Sequence, residues 1–322
     1  MVDHLERLRA TWQADGRASG HDFTLSVAIG PGYAARSRRG EPAFVVPLDA
    51  VPPGAVGRSA AGFELTPHLA LRFEFDGRSW DAAAAALTLR DADALDSFAV
   101  MASDLGTRLP AGPTWTDVVS IVAEWQDLFA PRGKPSAELE LGLWGELWFL
   151  AGSANVDATL SGWRGPDRDA VDFFVGQRSV EVKTSRAHRV HRVSQSQVSE
   201  PVGVHEAWLL SLWVKADPSS GVTVSSLAES IVERATDRRD AWKKMATAGY
   251  RLGDRHHFET AYSLMHTPEW YPAAVVPRVR EVDPGVSDLR YRVVLDEALR
   301  TQGEAAEALW MHFLGRAYGG VK

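Results

Sequence analysis

The chain of 322 residues contains no cysteine. That absence removes disulfides, thiolate nucleophiles, zinc fingers and thiolate-held iron–sulfur clusters, and leaves carboxylates, carbonyls and histidines as donors to any metal. Long apolar runs are missing too. A membrane-spanning helix needs about 20 consecutive apolar residues, and the strongest run, Ala207 to Val214, is far shorter. The opening MVDHLERLRATWQADG mixes acids and bases without an apolar core, so no signal peptide and no membrane are expected, and a cytoplasmic location is. The motifs GxxxxGK(S/T), GxGxxG, GxSxG and HExxH are all lacking. So is any excess of positive charge. A formal net charge of −7 argues against a protein that coats nucleic acid by bulk charge.

What is present is ordinary globular material, 45% apolar and 24% charged, in a length that suits about two domains. The charge is uneven. Residues 1–130 hold 11 Lys and Arg against 17 Asp and Glu, while the remainder is nearly balanced. Within that remainder, Arg178, Lys183, Arg186, Arg189 and Arg192 face the single acid Glu181, with His188 and His191 interspersed. Twelve tryptophans are expected mainly in the core, with some available to stack on bases.

The pattern predicts a short amphipathic helix over 3–14, carried by Leu5, Leu8 and Trp12. From Phe23 to about Leu109 it is strand-like: FTLSVAI, AFVVPL, FELTPHLALRFEF and LDSFAVMA, with Asp76-Gly77 as a hairpin turn and residues 81–89 ambiguous. After LPAGPTW come helices over 116–129, capped by Thr116, and over about 136–151, with the loop PRGKP between them. A strand–turn–strand is expected at 171–183 and a strand at 207–214. Helices over about 227–248, strands at 257–265 and 289–295, and a closing helix over 304–318 follow. The expected organisation is a β-rich module over 1–112, then an α+β or α/β domain over 113–322 whose mixed sheet is covered by helices.

The segment VDFFVGQRSVEVK, 171–183, bears most on chemistry. With Gly176-Gln177 as a type II′ turn, Phe173 pairs with Val180 and Asp172 with Glu181. Alternation then puts Asp172, Phe174, Glu181 and Lys183 on one face and Phe173, Val175, Val180 and Val182 on the other. Two carboxylates opposed across strands repel. A Mg²⁺ ion between them, bound through hard oxygen ligands, resolves the conflict; so does a solvent-facing ladder of Asp, Glu and Lys. On the helix ELELGLWGELWFLAG, Glu146 falls inside the stripe of Leu139, Leu143, Leu147 and Leu150, with Trp144 and Trp148 opposite and Gly142 as a point of close approach. A carboxylate so placed needs a partner: an arginine, or the same metal site.

These residues resemble the PD-(D/E)XK nuclease superfamily, whose fold is restriction-endonuclease-like, with a helix acid followed by D…(D/E)-x-K on a hairpin. The order is closest to an uncharacterised bacterial family grouped with it. The matching pieces are Gly142-Leu143-Trp144-Gly145-Glu146-Leu147, Trp163…Asp172-Phe173, Glu181-Val182-Lys183-Thr184, Val276-Pro277-Arg278-Val279 and Leu289-Arg290-Tyr291. The superfamily's proline before the Asp is here Val171. The resemblance implies Mg²⁺, with Mn²⁺ as a substitute, on Asp172, Glu181 and the Val182 carbonyl. Glu146 would be an outer ligand or hold a second ion, and Lys183 would orient the attacking water and stabilise charge on the phosphate. It further implies a DNA-cutting restriction-type or anti-phage component acting beside ATPase and methyltransferase partners, and a homodimer suits cutting both strands.

The run TSRAHRVHRVSQSQ suits a phosphate groove, with Arg186, His188, Arg189 and Arg192 as contacts, His191 as a further candidate, and Gln195 or Gln197 on a following helix; it equally suits a strand or a solvated loop. Two further readings stand beside the DNA nuclease: a non-catalytic nuclease-like subunit that binds DNA or assembles a complex, and a nuclease of RNA or damaged DNA.

Overall fold

The computed structural model describes residues 4–13, 22–60, 62–129, 133–167, 169, 171–195, 197, 206–279 and 289–315. It divides into two compact units, Met1–Arg132 with Arg251–Asp254, and Gly133–Tyr250 with Arg255–Lys322. The division falls some twenty residues beyond the boundary expected at 112/113.

The first unit is a six-stranded antiparallel sheet in the order β1-β2-β3-β6-β5-β4. Its strands are β1 (Phe23–Ile29), β2 (Gly32–Ser37), β3 (Pro42–Leu48), β4 (Arg58–Ala60), β5 (Phe63–Phe75) and β6 (Arg78–Leu89). Asp76 and Gly77 both have positive φ, 51° and 71°, the twist a two-residue hairpin between β5 and β6 needs. The alanine-rich 81–89 is strand. Alanine favours strands weakly, but β6 lies between β3 and β5, where small side chains fit. Helix α1 (His4–Gln13) is held by the Trp12 indole, which donates to the Ala35 carbonyl at 2.9 Å.

One expectation fails here. LDSFAVMA is not a strand but the start of helix α2 (Leu95–Arg108). Its buried Phe98, Met101, Ala102, Leu105 and Leu109 recur at helical spacing, which overrides the strand preference of a few residues. Helix α3 (Trp115–Phe129) is capped by Thr114 and not by Thr116: Thr114 Oγ1 accepts from the Asp117 amide, and the Asp117 carboxylate accepts from the Thr114 amide. Trp125 donates to Asp104 of α2 at 3.0 Å, which keeps α3 in the first unit.

The second unit is mixed α+β. Its main sheet runs β11-β10-β8-β7, with β12 also on β10. The strands are β7 (Phe173–Val175), β8 (Arg178–Ser185), β10 (Glu206–Ala216), β11 (Tyr262–Leu264) and β12 (Glu269–Pro272), and a two-stranded sheet pairs β9 (Val190–Ser194) with β13 (Arg290–Val294). Strands β8 and β10 are parallel; the other pairs are antiparallel. Helices α4 (Ala137–Gly152), α5 (Val156–Gly162), α6 (Val224–Arg234), α7 (Arg238–Ala248) and α8 (Gly303–Leu309) flank them. The helices expected over about 227–248 are α6 and α7, and Asp237 caps the second by accepting from the Asp240 amide. The closing helix passes into a π-helical turn over Trp310–Leu314, and 316–318 lie outside the described residues.

Helix α4 begins at the Ser136 cap. Two features of its expected face change. Leu139 is 42% exposed, while Glu140 is buried, accepting from the Thr260 amide and hydroxyl. The tight approach is made not by Gly142, which has open space, but by Gly145, where a Cβ would stand 1.7 Å from Thr184 Oγ1. α4 thus lies on the Val180, Val182 and Thr184 face of β8, beside Leu210 and Leu212 of β10. Glu181 and Lys183 leave from the other face.

Candidate active site

Three pairs of the predicted hairpin register occur: Phe173 with Val180, Phe174 with Ser179 and Val175 with Arg178. Gly176 has φ +64° and Gln177 is outside the positive-φ region, the pattern of a type II′ turn. The fourth pair does not form. Asp172 lies just before β7, where its carbonyl accepts from the Arg164 amide at 2.7 Å, and its side chain accepts from the Val182 amide at 2.8 Å. The edge of β8 beyond Val180 is therefore taken by a carboxylate instead of a strand. A strand residue's N–H and C=O leave the same edge, so the Val182 carbonyl faces the same side as Asp172.

Around this edge the four candidate residues interact. Glu181 is 2% exposed. Lys183 Nζ lies 2.8 Å from Glu181 Oε1, close enough to pair in charge, yet no donor meets either buried Glu181 oxygen with hydrogen-bond geometry. Glu146 arrives from α4, and its Oε2 accepts from the Trp163 indole at 2.7 Å. Gly165 leaves room for it: a Cβ there would stand 2.1 Å from the same oxygen. Trp163 also bridges Phe173 through the backbone and stacks on its ring at 6.3 Å. Trp163 and Gly165 are thus positioning residues. Gly165 carried no readable sequence signal, because only the folded chain shows what its missing Cβ would strike.

The electrostatics are those of a crowded acidic site. Burial, then the charge of Asp172, pushes Glu181 up to about 8, against the pull of Lys183. Burial raises Asp172 to about 6, opposed by Lys183 and the Val182 amide. Glu146 is held well above the usual carboxylate range by burial and then by Asp172. Burial works against the Lys183 ammonium, but Glu181 and Asp172 outweigh it and hold its pKa above the ordinary lysine value. Near neutral pH the cluster therefore keeps Lys183 charged and retains protons on its most buried carboxyls.

That donor set suits a hard divalent cation: two carboxylates, a third nearby, a carbonyl on the same side, and two buried acceptor oxygens without a donor. As placed, no three His, Asp or Glu side chains among the described residues stand together ready to hold an ion. The carboxylates of Asp172 and Glu146 are drawn to protein donors instead, Val182 and Trp163. The expected arginine partner of Glu146 is this indole.

Residues 33–296 match the model of a single family, described as "Putative PD-(D/E)XK family member" (DUF4420). The chain belongs to this family. Membership makes it nuclease-like, and its helix-flanked mixed sheet agrees with the restriction-endonuclease-like fold. No curated protein and no solved structure matches it.

The basic run is not a helix. It is a bend followed by β9, so the i, i+3, i+6 spacing of its arginines has no helical meaning. Arg189, with φ +57°, pairs with Glu269 at 2.6 Å and Glu297 at 2.8 Å. Arg186 donates to the Tyr262 hydroxyl and lies over that ring. Arg192 is 77% exposed beside Glu138. His191 is no surface contact: it is 4% exposed, 2.8 Å from Ser211 Oγ, and burial lowers its pKa to about 3. Gln195 follows strand β9 and donates to the Val279 carbonyl, and Gln197 lies in a 3-10 turn and accepts from the Ser194 amide; the residues that follow lie outside the described ones. His188 is exposed and stacks on Trp213. No helix among the described residues is long and apolar enough to cross a membrane.

Proposed function

We propose that the protein is a divalent-metal-dependent endonuclease that hydrolyses DNA phosphodiester bonds. The observation that carries this is the crowding at Glu181: a carboxylate 2% exposed, set beside the Asp172 carboxylate and paired with the Lys183 ammonium at 2.8 Å. A cluster of three acids around one lysine opposes folding stability unless further positive charge binds it. Asp172, Glu181 and the Val182 carbonyl would hold Mg²⁺ or Mn²⁺, with Glu146 outside them. The chemistry such an ion supplies is a lowered pKa for bound water and charge neutralisation on the phosphate. The Val182 amide fixes the Asp172 carboxylate. The Trp163 indole fixes Glu146. Lys183, its pKa raised, stays an ammonium, so it cannot serve as a base; it orients the attacking water and stabilises charge on the scissile phosphate.

The same resemblance supports a defence or restriction role beside ATPase and methyltransferase subunits, and a homodimer would supply two such sites for two strands. One observation favours a second reading. With no three ligands poised as placed, the unit would instead be a nuclease-like subunit that binds or assembles without cutting. Incubating plasmid and phage DNA with the purified protein separates the two. Cleavage that appears with Mg²⁺ and stops with chelator supports the nuclease. Metal-independent DNA binding with no product in Mg²⁺ or Mn²⁺ overturns it.

A further inference from the structure

The face that carries Glu181 and Lys183 continues two residues on to Ser185, whose neighbour in the parallel ladder is Trp213 of β10. Two strand residues span about 6.6 Å, so Trp213 stands close to the lysine on the same side of the sheet. Its indole is half-buried and fixed by a hydrogen bond to the Arg186 carbonyl at 3.1 Å. His188 stacks on it with ring centroids 4.4 Å apart at 19°, and His266 at 5.0 Å and 30°. The two imidazoles are 5.8 Å from each other. On opposite faces of the indole they would be roughly 9 Å apart, so they lie side by side on one face. Both residues are exposed.

Beside them opens a cavity of about 360 Å³, lined by His188, His266 and Thr267 and by the network of Arg189, Glu269, Glu297 and Arg300. In that network each arginine meets carboxylates, Arg189 at 2.6 and 2.8 Å and Arg300 at 3.1 Å. Two cations and two anions leave no net charge to attract a phosphate. The cavity suits an uncharged planar group with polar edges.

We propose that His188 and His266, carried on Trp213, form a stacking subsite for an unpaired nucleobase of the DNA strand held at Lys183. This rests on the nuclease reading and adds a substrate class: DNA with single-stranded character. Inside a duplex each base is covered by its neighbours 3.4 Å away and offers no face to a protein ring; an unpaired base does.

The test is fluorescence anisotropy in EDTA in a Lys183→Ala background, so that cleavage does not consume the probe. The probes are a labelled single strand, the same strand paired to its complement, and a strand of equal length with abasic sites. His188→Ala with His266→Ala should weaken single-strand binding roughly 5- to 150-fold, with little change for duplex or abasic strand. Replacing both histidines by Phe should restore it, because a phenyl face stacks without the imidazole's hydrogen bonds. Equal losses on all three probes, no loss on any, or no rescue by Phe overturns the subsite. A protein that cuts DNA but binds it without regard to these rings loses this inference alone. One that shows the ring-dependent preference and cuts nothing loses the nuclease reading instead.

Discussion

Replacing Glu181 by Gln should make the metal-free protein more stable, and increasingly so as pH rises. Glu181 is 2% exposed beside the Asp172 carboxylate, so the folded chain resists its ionisation, and despite the Lys183 ammonium its pKa rises from 4.5 to about 8. The unfolded chain does not resist. A group whose folded pKa is raised contributes stability that is complete below the unfolded value and is lost as pH rises through the folded one. Between about pH 5 and pH 8 the wild type should therefore lose about 1.4 kcal/mol per pH unit relative to Glu181→Gln, which keeps the shape and does not titrate. The gap near pH 7 is about 3 kcal/mol, an upper figure because Asp172 and Lys183 respond to the same change. Chemical denaturation of both proteins in EDTA across that range measures it. Adding Mg²⁺ should restore the wild type at high pH and leave the variant unmoved, since metal binding displaces the protons. Parallel stability profiles in EDTA would refute the reasoning and make Glu181 an ordinary buried acid.

Lys183→Ala should cut cleavage roughly 100- to 1000-fold, the scale of losing one charge-stabilising donor, while metal titration still reports binding; cutting at the wild-type rate removes the lysine from the chemistry. Arg189→Ala should destabilise the second unit by about 1–3 kcal/mol, because Glu269, held down to about 2 against burial by Arg189, Tyr271 and Arg300 together, keeps only the last two; thermal unfolding checks this. Arg192→Ala should leave stability within about 0.5 kcal/mol and, if Arg192 meets a phosphate, lower the salt slope of duplex binding by about 0.9. Gly145→Ala should destabilise by about 1–3 kcal/mol, since its Cβ would strike Thr184, and should lower activity beyond that cost by shifting Glu146; unchanged activity in a folded variant would separate the helix position from the site.

The hairpin was legible because its information is local. Gly176 needs positive φ, the flanking residues alternate, and the register of Phe173 through Val180 follows from those two facts. Asp172 was placed in the right neighbourhood and the wrong bond: nothing in VDFFVGQRSVEVK says that β7 stops at Phe173 or that the Val182 amide is left for a carboxylate. Helix α2 was misread because five of its first eight residues are β-formers or neutral by type, while its buried positions at helical spacing show only over the full fourteen-residue span. The arginine run, which suits a phosphate groove, a strand or a loop alike, does not say that Arg189 belongs to a left-handed turn and an ion-pair network contributed by β12 and the Glu297 turn, both over seventy residues away. Tertiary partners of that kind leave no trace within a window.

The position of the site follows from a deficiency in the sheet. A full-length β7 would pair with β8 to its end, cover the Val182 amide and carbonyl, and leave the Glu181 face as a closed polar stripe. Because β7 covers only residues 178–180, the next amide of β8 on that edge, Val182, is left to the Asp172 carboxylate. There a helix acid from one face, Glu146, comes within electrostatic reach of Asp172, Glu181 and Lys183. Parity would otherwise separate them, since alternating side chains cannot share a face with a helix packed on the opposite one. Gly145 lets α4 approach closely enough for Glu146 to reach that edge, and Gly165 leaves the space its carboxylate occupies. Truncating a strand costs ladder hydrogen bonds, and clustering three acids costs more. Neither favours folding, and their coincidence at one edge is what the proposed cation would offset.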